Sequence, residues 1–106
     1  KSSGEITAIA ESPLRSFQLK QNYPNPFKET TSIEFTMLEK SHIQLSIYRI
    51  SGQLVKTLID GEYPAGTHTA SWDGKLFSGQ AALTGLYLYK IQVGNSVETK
   101  KMKLER

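Results

Sequence analysis

An all-β sandwich of about seven antiparallel strands is the fold class this sequence predicts, and three observations predict it. Turn signals recur at short intervals, at Ser51-Gly52, Asp60-Gly61, Ala65-Gly66, Asp73-Gly74, Ser78-Gly79, Gly85 and Gly94-Asn95. The runs between them are short and either alternate or are rich in β-branched and aromatic residues, the rhythm of a many-stranded sandwich. Helix is unsupported, because no window carries apolar residues at i, i+3, i+4 and i+7 for three turns.

In chain order, residues 1–16 are small and polar with one proline and read as a flexible linker. The first candidate strand is 17–20. It is followed by "QNYPNPFKETTSIEF", residues 21–35, in which Pro24 and Pro26 hold Tyr23 and Asn25 out of helix. That segment reads as a stiff lead-in presenting Tyr23 and Phe27 at the edge of the domain. The second strand is 31–37, with Ile33, Phe35 and Met37 alternating with polar residues. In 42–50, Ile43, Leu45 and Ile47 share the face expected in the core. Strands follow at 54–59, with a turn at Asp60-Gly61, and at 67–72. In 85–93 either Leu86 and Leu88 or Tyr87, Tyr89, Ile91 and Val93 could face inward, and the longer, bulkier set is expected to. Gly94-Asn95 tolerates positive φ and marks a hairpin into 96–104. In that last strand Met102 and Leu104 are expected inward, Lys101 and Lys103 outward.

Composition narrows the function classes. With 106 residues, 38% hydrophobic and 22% charged, the chain fits one globular domain, long enough to bury about 65% of its unfolded surface. The formal charge of +3 is interspersed with acids, so it reads as a solvated surface, with no nucleic-acid partner. Cysteine is absent, which excludes disulfides, zinc-thiolate sites and thiol nucleophiles. No apolar run nears the roughly 20 residues of a membrane-spanning helix, so no membrane insertion is expected. A start at Lys1 without Met reads as a module cut from a larger polypeptide.

Chemistry-bearing motifs are sparse. His42 and His68 sit in separate strands without a third ligand at metal spacing, so no metal site is expected. "WDGKLFSG", residues 72–79, supplies one carboxylate where a calcium loop needs several, which makes Asp73 a turn former. Asp60 and Glu62 read as solvated hairpin acids. Neither a nucleophile elbow nor a phosphate-cradling run occurs, and neither catalysis nor a cofactor is expected. Tyr23, Phe27, Tyr63 and Phe77 fall in predicted loops. They could stack on a carbohydrate, the basis of an alternative reading as an accessory carbohydrate-binding or spacer module, although plugging the sandwich ends is their commoner use.

Three quoted stretches carry a family resemblance: "LKQNYPNPF", "IYRISGQLVKTLIDGEYPAGTHTASWDG" and "SGQAALTGLYLYKIQVGNSVETKKMKLER". In this order and spacing they resemble the type A C-terminal sorting domain of type 9 secretion found in Bacteroidota, over residues 17–106. The segment from Tyr48 through Tyr89 also resembles the immunoglobulin-like domain of flagellar hook-capping proteins. "KLF" at residues 75–77 departs from the polar or acidic residues usual in the sorting family. The resemblance implies an immunoglobulin-like sandwich without enzyme activity, attached to a secreted cargo and working as a monomer. It would pass through the periplasm to the cell surface or medium. Its partners would be the type 9 secretion machinery and a surface protease that cuts it from the cargo. Recognition by that machinery would fall on Asn25, Pro26, Gly85, Tyr87, Lys100, Lys101, Met102 and Lys103.

Overall fold

The computed structural model describes residues 17–106. The linker expected over 1–16 lies outside the described residues. Seven strands are present among the rest: β1 (Phe17–Leu19), β2 (Thr31–Met37), β3 (Ser41–Arg49), β4 (Leu54–Tyr63), β5 (Gly66–Trp72), β6 (Gly85–Val93) and β7 (Ser96–Leu104). They form a three-stranded sheet in the order β1-β2-β5 and a four-stranded sheet in the order β4-β3-β6-β7, every pairing antiparallel. This is the immunoglobulin-like sandwich expected.

Alternation puts the core between the sheets. Thr31, Ile33, Phe35 and Met37 point inward from β2, opposite Ile43, Leu45 and Ile47 of β3 and Tyr87, Tyr89, Ile91 and Val93 of β6. Both faces expected from the sequence are therefore the buried ones. Met102 and Leu104 complete the core from β7, while Lys101 and Lys103 lie outside. Trp72 fills the centre of one end, edge-on to Phe27 at 5.7 Å and to Tyr87 at 5.3 Å.

Three expectations are corrected. Asp60-Gly61 is not a turn: β4 runs through it, with Asp60 opposite Gln44 and Gly61 opposite Ile43. β3 extends far enough to pair as far as Tyr63, and that ladder overrides the local turn propensity. The chain turns instead at Pro64-Ala65 and crosses to the other sheet. Bulges at Leu58 and Val55 shift the register of β4 on β3, and Ser46, on the outer side of β3 opposite Lys90, is nevertheless buried, its hydroxyl donating to Thr57 Oγ1 at 3.4 Å. Second, Phe27 is not an edge aromatic but core, 1% exposed. Third, the proline segment is not a lead-in at the domain's edge. The first strand, β1, precedes it as expected and pairs with β2, so the segment links two strands of one sheet, and both its X-Pro bonds are cis.

Candidate functional site

Residues 20–31 cross one end of the sandwich and close on the tail of β7, and sequence-distant polar groups meet there. The origin is Tyr89, a buried tyrosine whose hydroxyl needs partners. It donates to the Lys20 carbonyl at 2.8 Å and accepts from the Asn22 N–H at 2.9 Å. Asn22, itself buried, donates through Nδ2 to Thr31 Oγ1 at 2.9 Å and to the Pro24 carbonyl at 3.2 Å. Thr31 Oγ1 donates to the same carbonyl at 2.9 Å. A proline-rich segment offers few backbone donors, and these side chains satisfy its carbonyls.

The segment then pairs with β7. Gln21 Nε2 donates to the Lys101 carbonyl at 2.8 Å, and the Lys103 N–H donates to Asn25 Oδ1 at 3.0 Å. Phe27 runs parallel to Leu104: its N–H donates to the Lys103 carbonyl at 3.0 Å, and its carbonyl accepts from the Glu105 N–H at 2.8 Å. The free edge of β7 is thereby covered along its last residues. Arg106 extends the seam, donating through its guanidinium to the carbonyls of Gly74 at 2.8 Å, Ala82 at 3.1 Å and Lys28 at 3.4 Å. Gly74 has φ +71°, a backbone conformation that favours glycine, and a Cβ there would also crowd Arg106 Nη2 at 2.8 Å and the Glu29 carbonyl at 3.2 Å.

Burial pushes the Tyr89 phenol up to about 12, with the Asn22 N–H opposing that rise and Glu98 adding to it. The folded chain therefore holds a proton that the unfolded chain releases near its ordinary value of 10.0. This contribution to stability is intact below about pH 10 and is lost as pH rises towards 12. Tyr89→Phe strands the Lys20 carbonyl and Asn22 N–H and is expected to cost about 1–3 kcal/mol at neutral pH. Urea melts should also show the variant losing less stability than the parent between those two pH values. Parallel curves would place the alkaline sensitivity elsewhere.

The sequence-predicted residues divide by exposure. Asn25 reaches Lys103 as described, Pro26 beside it is exposed, and Gly85 opens β6 opposite Leu104. Tyr87 and Met102 face each other in register and are buried, with the Tyr87 hydroxyl donating to the Leu83 carbonyl at 2.6 Å. Lys100 lies on the inward side, half-buried, and pairs with Glu98 at 3.5 Å. Lys101 and Lys103 remain accessible to a partner, Lys103 with Glu105 at 3.3 Å. Gln21, Asn22, Thr31, Tyr89 and Arg106 were not anticipated. A tyrosine at the centre of a buried strand face was the one available signal, since its hydroxyl demands a partner. Of the four loop aromatics, Phe27 is core and Tyr63 packs edge-on against Phe35 and His68, leaving Tyr23 and Phe77 exposed. Asp73 is the expected turn former, accepting from the Lys75 N–H at 3.1 Å. "KLF" makes local contacts: Lys75 bridges Ala81, and Leu76 packs on the core. Among the described residues no cluster of His, Cys, Asp or Glu could hold a metal ion.

Compared with known proteins, the chain is similar over residues 22–97 to a family model described as the FlgD Ig-like domain. Among solved structures it is similar to dimeric latent PorU from Porphyromonas gingivalis at 20% identity and a TM-score of 0.68, over 83% of this chain and 9% of that one. PorZ, described as an essential surface component of the type-IX secretion system of the same bacterium, is similar at 17% identity and a TM-score of 0.59, over 91% of this chain and 12% of PorZ. FlgD from P. aeruginosa is similar at 24% identity and a TM-score of 0.57, over 71% of this chain and 59% of FlgD. This chain thus spans less than two thirds of each, and the likeness at these identities is one of fold. No curated protein matches the sequence. The family model covers well over half of the chain, and on that match the chain belongs to the FlgD Ig-like domain family.

Proposed function

We propose that this domain is a sorting signal of type 9 secretion, carried by a secreted cargo and recognised as a folded unit. The observation that carries the reading is the seam. Asn25-Pro26 and the Lys101-Met102 tail, two markers of the sorting family, are joined through the bond from Lys103 to Asn25 across 78 positions of sequence. A machine that reads folded domains would meet Asn25-Pro26 and the outward lysines of the tail on one surface. The fold likeness to PorZ, a type-IX component, supports the same direction. In this role the domain is substrate and not catalyst. It uses no cofactor, travels through the periplasm to the surface or medium, and is cut from its cargo by a surface protease upstream of residue 17.

The test joins residues 1–106 to a periplasm-targeted fluorescent reporter in a type 9 host. The intact fusion is expected at the surface or in the medium. Lys101→Ser with Lys103→Ser removes the accessible cations without touching Met102 or Leu104, and is expected to stall in the periplasm while keeping the parent's circular dichroism. Cations of this kind act mainly on encounter with a partner. Normal export of the double variant would make the lysines solvated decoration. Retention of the intact fusion would remove the sorting assignment.

A further inference from the structure

We propose that the outer face of the four-stranded sheet carries a docking groove for an extended acidic protein segment that seats one apolar side chain. Strand register assembles the face. Leu54, Tyr48, Leu88 and Lys101 lie directly opposite one another across β4, β3, β6 and β7, forming one continuous outward row. The neighbouring pair Lys90–Thr99 lies on one side of that row and Leu86–Lys103 on the other. Leu54 and Leu86 are about half exposed, as is Ile50 just beyond β3. Isolated surface leucines require no explanation, but apolar residues brought side by side by register form a patch.

The patch is not flat. Tyr48, Gly52, Leu88, Lys90 and Thr99 line a groove of about 210 Å³, with the Ser51-Gly52 turn at one lip. That volume suits one side chain better than a whole small ligand. Gly52 has φ +97° and open space where a Cβ would be, so the lip leaves the groove unobstructed. Charge selects the occupant. Lys90 Nζ sits 5.0 Å from the centre of the Tyr48 ring, which holds the ammonium at the groove. Among the described residues, Lys90 and Lys101 have no carboxylate within ion-pair distance, and Lys103 has Glu105. Three lysines facing one acid complement a carboxylate-bearing partner. An anionic membrane surface shares that charge, but a depression at the centre of the row, of a volume suited to one side chain, favours a peptide segment over a lipid surface.

This surface shares Lys101 and Lys103 with the sorting reading, but binding by the purified chain is read without any secretion host, so either reading can fail while the other stands. The ¹⁵N-labelled full chain is titrated with the capped peptide Asp-Glu-Phe-Glu-Asp and followed by NMR. Expected are amide shifts centred on Tyr48, Gly52, Leu88, Lys90 and Thr99. Affinity should fall about tenfold or more when the peptide's Phe is replaced by Gly, and similarly for the charge-removing variants Lys90→Ser and Lys101→Ser, whose folding is checked by thermal melt. It should also weaken with added salt. The proposal is overturned by absence of shifts up to about 1 mM peptide, by shifts centred away from the groove, or by equal binding of Lys-Lys-Phe-Lys-Lys. Tighter association of the same residues with phosphatidylglycerol vesicles than with the peptide would overturn it in favour of a membrane.

Discussion

Leu45→Asp is expected to abolish the cooperative thermal melt and leave the chain unfolded at room temperature. Leu45 is fully buried at the middle of β3, opposite Ile59 of β4 and Ile91 of β6. The substitution removes about 1.5–3 kcal/mol of apolar burial. It also forces a carboxyl group into a site without hydrogen-bond partners, which costs several kcal/mol whether the group stays charged or binds a proton. Together these approach the whole stability of an ordinary domain, about 5–15 kcal/mol. Gln44→Asp, one position along and exposed, serves as the control and should melt close to the parent. A parent-like melt for Leu45→Asp would contradict the register of the central sheet.

Phe27→Ala carries the second-largest expected effect, about 3–5 kcal/mol, because it empties a large site in the core. For a domain near this size, each kcal/mol lowers the melting temperature by about 4–8 °C. The variant also has a local signature. Trp72 is the only tryptophan of the chain, and Phe27 lies edge-on to it, so loss of the ring should let water reach the indole and shift its emission to the red while the chain remains folded. Tyr23→Ala, two prolines upstream and 80% exposed, should change neither property appreciably. Equal effects at both positions would mean that the proline segment does not anchor through Phe27.

Most of the fold was legible because it rests on local signals. Alternation in β2, β3 and β6 fixed which face turns inward, and Gly94-Asn95 forms the expected two-residue hairpin, with Gly94 at φ +60°. The failure at Asp60-Gly61 has the opposite origin: turn propensity is local, whereas the length of β4 is set by its partner β3. The seam was least legible. Asn25 and Lys103 each have unremarkable neighbours, and nothing in either stretch encodes that the other supplies its partner. Arg106 gives no sequence signal at all, since its ligands are backbone carbonyls that any residue presents. Gly74 hinted at a turn, but not at the guanidinium packed against it.

The parallel run of Phe27 beside Leu104 has a mechanical meaning. Tension applied between the chain upstream of Phe27 and Arg106 pulls these two segments in opposite directions along their own length. The bonds from Phe27 to Lys103, from Glu105 to Phe27 and from Lys103 to Asn25 are then loaded side by side, in shear. Bonds loaded in shear share the force and yield together, whereas a hairpin pulled from its open end surrenders them one at a time. Drawn by its two ends, the domain resists as a clamp.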